Sequence, residues 1–165
     1  ALGKFNGWIG YTLSYTTRTF PDLNEGKMFY PRYDRRHDLS VVTTYEVSPK
    51  WVLSAVFVYS TGNAVTLPIG RYFIDGKLVD QYGERNNYRM EPYHRMDISA
   101  TYTAKKNKYF ESSWNFSIYN VYNHMNPYFI YFDEQGSLEK GDIKLQAKQV
   151  SLFPIIPSVT WNFKF

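Results

Sequence analysis

Six stretches of this chain alternate apolar and polar residues at a period of two, and that rhythm restricts the fold more than any other feature. In "FNGWIGYTLSY", Phe5, Ile9, Tyr11, Leu13 and Tyr15 share one phase, with Trp8 the exception. "DLSVVTTYEV" sets Leu39, Val41, Tyr45 and Val47 against Asp38, Ser40, Thr44 and Glu46. "WVLSAVFVY" aligns Trp51, Leu53, Ala55, Phe57 and Tyr59, and "RMDISATYT" aligns Met96, Ile98, Ala100 and Tyr102. "FESSWNFSIY" aligns Phe110, Trp114, Phe116 and Ile118, and the closing "PSVTWNFKF" aligns Val159, Trp161, Phe163 and Phe165. On a helix, successive members of such a set would point to opposite sides of the cylinder. On a strand they line one face, so the pattern predicts an all-β chain.

What fills the apolar phase matters next. The 165 residues include 16 Tyr, 12 Phe and 4 Trp, where a soluble core draws mainly on Leu, Ile, Val and Ala. No run reaches the ~18 apolar residues of a membrane helix. A barrel strand, however, carries its lipid face in every second residue. The connections alternate as well: "SPK" (48–50) and "AKKNK" (104–108) are short, whereas those over roughly 17–35, 61–92 and 122–150 are long. Short periplasmic turns alternating with long extracellular loops are the layout of an outer-membrane barrel. Aromatics near strand ends (Tyr15, Tyr45, Trp51, Tyr59, Tyr102, Phe110, Trp161, Phe165) match its interfacial girdles. The expectation is a set of about six antiparallel transmembrane strands.

Six is below the 8 that the smallest bacterial barrels use. "RYFIDGKLVDQY" reads as a hairpin about Asp75-Gly76, and its charges place it outside the membrane. "PYFIYFDEQGSLEKGDIKLQ" reads as a second hairpin, open to either placement. Counting such strands into the wall gives a complete small barrel acting as an adhesin or anchor. The favoured expectation is the C-terminal portion of a larger barrel, spanning 1–165, with no plug domain in this stretch. No leader is seen before Ala1, so either one has been removed or more chain precedes it.

The chemistry-bearing residues are sparse. There is no cysteine, and the net charge of +4 comes from interleaved acidic and basic residues, which argues against nucleic-acid binding. His37, His94 and His124 lack metal-ligand spacing, and no Ser–His–Asp or phosphate-loop arrangement is present. The chain reads as a non-enzyme without metal or cofactor; a membrane-embedded hydrolase is the disfavoured third class. Two strand starts repeat Arg-x-Asp-x-Ser, as Arg36–Asp38–Ser40 and Arg95–Asp97–Ser99, on the polar phase. They predict a lumen-facing wall of ion pairs that either meets a ligand or plug or only stabilises the barrel. In the first long loop, Arg18, Phe29, Tyr30, Arg32 and Tyr33 combine aromatic faces with guanidinium groups. They suit a ligand contact or a self-packed loop equally. Val52, Val56 and Val58 make the polar phase of the third strand apolar too, as a face covered by a plug would be.

Four segments together carry a family resemblance: "YSTGNAVTLPIG" (59–70), "NNYRMEPYHRMDIS" (86–99), "FSIYNVYNHMNPYFIY" (116–131) and "KQVSLFPIIPSVTWNFKF" (148–165). The chain resembles the C-terminal end of TonB-dependent outer-membrane receptors of the Bacteroidota type, the group that includes SusC-like proteins. The resemblance implies the last six strands of a 22-stranded barrel in a Gram-negative outer membrane. It implies nutrient import energised by TonB, through a plug and TonB box that this stretch does not carry. It also implies that Trp161, Phe163 and Phe165 form an assembly signal read by the barrel assembly machinery, and that a surface lipoprotein can partner the barrel.

Overall fold

In a computed structural model the protein is described at residues 3–75, 77–107, 109–136 and 144–165. Twelve strands form among these residues; the only helical element is a 3-10 turn at Asn24–Gly26. The period-2 stretches become the six strands of one sheet: β1 (Phe5–Leu13), β2 (His37–Ser48), β3 (Trp51–Ser60), β8 (Tyr93–Lys106), β9 (Glu111–Tyr119) and β12 (Ile156–Lys164). They lie side by side in chain order, β1-β2-β3-β8-β9-β12. The ladders are antiparallel, so the short connections leave one end of the strands and the long connections the other. At ~3.3 Å per residue, the 14-residue β8 is about 46 Å long, ample for a hydrocarbon crossing at a 45° tilt.

Both expected hairpins form, and both stand apart from this sheet. β5 (Pro68–Ile74) pairs with β6 (Lys77–Tyr82), and β10 (Pro127–Gln135) pairs with β11 (Lys144–Ser151). A minimal ladder joins β4 (Ala64–Val65) to β7 (Tyr88–Arg89). Among the described residues neither hairpin adds a strand to the six-stranded sheet. Asp75 occupies the left-handed region (φ 49) at the turn of the first hairpin, a conformation that Asp tolerates.

Contacts divide the chain into two compact units. The first comprises Ala1–Gly10, Ser40–Val58 and His94–Phe165. Its sheet segregates side chains by face. Register places Ala100, Phe116 and Val159 in one row and Tyr102, Trp114 and Trp161 in the next. The intervening rows are Ser99, Ser117 and Ser158, then Thr101, Asn115 and Thr160, and by the strand pleat these point to the other face. The apolar face is bare: Trp114, Phe116, Val159 and Trp161 are all exposed. In water each such side chain forgoes about 1.5–3 kcal/mol of burial. Gly7 lets β1 approach β2, since a Cβ there would lie 2.4 Å from the Val42 carbonyl oxygen.

The second unit comprises Tyr11–Leu39 and Tyr59–Tyr93. All three buried hydrophobic residues among those described, Phe29, Ala64 and Met90, belong to it. Its segments are joined mainly by polar side chains reaching backbone groups. Asn86 Nδ2 donates to the Tyr30 carbonyl at 2.6 Å, and the Arg85 N–H donates to Asn24 Oδ1 at 2.6 Å. Such bonds stabilise long connections that bury little apolar area. Gly62 is indispensable here, because a Cβ would meet the Met90 carbonyl oxygen at 1.9 Å.

Candidate functional site

The terminal strand supplies the first candidate element. Trp161 stacks on Trp114 with centroids 6.0 Å apart, and its Nε1–H donates to Ser112 Oγ at 2.9 Å. Phe163 lies 4.8 Å from the Trp161 ring and 5.5 Å from Phe165, which in turn lies 5.5 Å from Phe110. Trp51 meets Tyr102 at 4.9 Å. The result is an aromatic band on the apolar face, at the end of the strands where the short connections lie. Phe165 is 88% exposed, and among the described residues β12 is paired on one side only, with β9. Trp161, Phe163 and Phe165 are therefore brought together. Just beyond the band, a shallow groove of about 620 Å³ crosses the apolar face beside Leu53, Ala55, Ala100 and Phe116.

The opposite face is hydroxyl- and amide-rich. Ser117 and Ser158 share a hydrogen bond of 2.8 Å, and Asn115 Nδ2 donates to Thr101 Oγ1 at 2.8 Å. These groups satisfy each other laterally and keep lone pairs for water. Towards the long-loop end, Arg95 and Asp97 form the ion pair expected of them, at 3.0 Å. Arg95 also donates to the Tyr119 hydroxyl at 2.6 Å and lies 4.1 Å from that ring's centroid. At the other repeat, Asp38 faces Arg35 at 3.8 Å rather than Arg36. Arg36 instead lies over the rings of Tyr15 and Tyr30. The physical reason is competition, since an additional arginine at 35 takes the carboxylate while two tyrosine faces hold Arg36.

The first long loop is self-packed, and part of the expected contact surface is lost to that packing. Phe29 is only 6% exposed, packed near Phe20 and beneath Arg85, so it is a core residue and presents no face to a ligand. Arg18 hydrogen-bonds the Tyr33 hydroxyl and lies over the same ring. Tyr30 is half-buried under the guanidinium groups of Arg36 and Arg89. Arg32 and Tyr33 remain exposed. Asp34, not singled out by its sequence context, is completely buried; it accepts from Arg89 Nη2 at 2.6 Å and from the Thr16 N–H at 2.9 Å.

A second group that sequence reasoning missed lies in "YNVYNHMNP". Asn120 is fully buried in the left-handed region (φ 54). Its backbone N–H donates to Asp97 Oδ1 at 2.9 Å, while its side chain holds both the N–H and the carbonyl of His124. Asn126 clamps both backbone groups of His94 in the same way. The two imidazoles stack 3.7 Å apart, and His94 Nδ1 meets the Tyr122 hydroxyl at 2.9 Å. Burial first, then the Asp97 carboxylate, raises the Tyr122 phenol above its ordinary value, with Arg95 opposing. The clustering of three Asn within seven residues, Asn120, Asn123 and Asn126, was the available signal, because Asn both tolerates positive φ and mimics backbone hydrogen bonding. Face-to-face imidazoles direct their nitrogens sideways, and no trio of His, Cys, Asp or Glu among the described residues is placed to hold a metal.

Compared with protein-family models, curated proteins and solved structures, the chain matches none.

Proposed function

We propose that this chain is the C-terminal wall of a TonB-dependent outer-membrane transporter, comprising its last six strands and three extracellular loops. One observation carries the reading: adjacent rows of a single sheet alternate between Tyr102–Trp114–Trp161 and Thr101–Asn115–Thr160. An exposed aromatic and aliphatic face is costly in water and stable against lipid, and the polar face suits an aqueous lumen. The aromatic band at the short-turn end corresponds to the periplasmic girdle. β12 offers its free edge to the first strand of the barrel, and its Trp161, Phe163 and Phe165 ladder is the signal read by the barrel assembly machinery. The plug, TonB and a surface lipoprotein are the partners this reading requires or allows; nutrient import is the activity.

Brominated-lipid quenching tests the orientation. In the whole gene product, variants retaining only Trp114 or only Trp161 should be strongly quenched by bromines near the headgroups. A tryptophan placed at Asn115 should be quenched far less. Equal quenching on both faces, or recovery of the protein in the soluble fraction, overturns the membrane reading. Deleting Phe165 should lower outer-membrane levels while synthesis is unchanged, and normal levels would remove the assembly role. For transport, cells lacking this protein and cells lacking TonB should lose uptake of the same nutrient.

A further inference from the structure

We propose that Arg36 is the centre of a binding site for an oxyanion, the carboxylate or phosphate group of a ligand. The inference rests on residues of the second unit alone and is independent of the membrane reading. Arg36 is half-buried, and its Nε is enclosed without a hydrogen-bond acceptor. The carboxylates nearest in sequence are committed elsewhere: Asp38 faces Arg35, and Asp34 is held by Arg89 and the Thr16 N–H. Arg36 thus carries an uncompensated charge in a partly dehydrated place, where a lone cation is costly unless an anion joins it.

Its positioning argues for recognition rather than mere loop adhesion. The guanidinium carbon lies 4.7 Å from the Tyr15 centroid and 5.4 Å from the Tyr30 centroid. Ring faces attract the cation through its plane and use none of its in-plane N–H groups. Both ends of the arrangement are fixed. The Ser14 N–H donates to the Arg36 carbonyl at 3.1 Å, and Asn86 secures the Tyr30 carbonyl. A guanidinium held over two rings with its N–H edge unused is preorganised for the two parallel bonds that carboxylate and phosphate accept. Arg89 meets the same Tyr30 ring but is neutralised by Asp34, so only Arg36 offers net charge there.

The whole gene product, purified in detergent, should be titrated with two probes: inorganic phosphate, followed by 31P relaxation, and acetate, followed by proton saturation transfer. Saturable binding of either one is expected, and the two arms distinguish phosphate from carboxylate preference. Arg36→Met should abolish it. Arg36→Lys, which keeps the charge but not the fork, should weaken it about tenfold. Lys106→Met, which removes a cation outside the site, should leave it unchanged. Absence of saturable binding in the wild type overturns the site, as does undiminished binding in Arg36→Met. Should the Met variant fail to fold, undiminished affinity in Arg36→Lys overturns it instead.

Discussion

The segments leading into β2 and β8 share Arg-x-Asp-x-Ser spacing, yet the same three residue types are put to different uses. At β8, Arg95 engages the Asp97 carboxylate and the Tyr119 hydroxyl. Residue 94 is His and competes for neither. At β2, Arg35 precedes Arg36, takes Asp38 at the longer distance of 3.8 Å, and leaves Arg36 to Tyr15 and Tyr30. Each junction is anchored by one fully buried polar residue from a long connection, Asp34 in one unit and Asn120 in the other. Spacing alone therefore does not choose an ion pair's partners; what flanks the charge decides.

The largest effects should come from these two anchors. Asp34→Ala leaves Arg89 without its carboxylate and the Thr16 N–H without an acceptor, and should cost about 3–5 kcal/mol. Asn120→Ala strands both backbone groups of His124 and removes a side chain suited to positive φ; about 2–4 kcal/mol is expected. Asn120→Gly separates the two causes, since glycine restores only the backbone freedom. Urea midpoints of the detergent-solubilised protein measure all three. If either alanine variant cost under about 0.5 kcal/mol, its junction would not depend on its anchor.

A finer comparison uses the two aspartates of the repeated spacing. Asp97→Asn keeps an oxygen for the Asn120 N–H but dismantles a pair whose side chains are 22% and 25% exposed; about 1 kcal/mol should be lost. Asp38→Asn touches a longer pair with both partners nearly half exposed, and should stay within about 0.5 kcal/mol. Equal losses would mean that the junctions are alike after all.

How much of this was legible beforehand depended on the range of the interactions. Period 2 is a local property, so the six sheet strands could be read from it, and turn chemistry at Asp75 located the first hairpin. The same period cannot say which sheet a strand joins, and 127–146 stayed open for that reason. The burial of Phe29 depends on partners as distant as Arg85, and no pattern near residue 29 encodes it. The contact of Arg36 with Tyr15 spans 21 residues, and no local pattern encodes it. Of the candidate site, the Trp161–Phe163–Phe165 ladder was readable since its members are near neighbours, whereas the Asn120 clamp joins a turn to a carbonyl at Phe153.

The smallest effect bears on electrostatics within the β8 junction. Tyr122 is raised above its ordinary 10.0 by burial at the loop base first and by Asp97 second, while Arg95 pulls the other way. A raised phenol favours the folded state: its contribution is complete below about pH 10 and is lost as pH rises through the elevated value. Asp97→Asn removes the second cause and leaves Arg95 in place. The Tyr122 midpoint should therefore fall, read as the difference between phenolate absorbance titrations with and without Tyr122→Phe. Asp38→Asn should not move it. A midpoint unchanged by Asp97→Asn would show that the carboxylate's charge is spent entirely on Arg95. The junction would then be a closed ion pair beside a tyrosine, not a three-membered cluster, and its contrast with the open arginine at β2 would be sharper still.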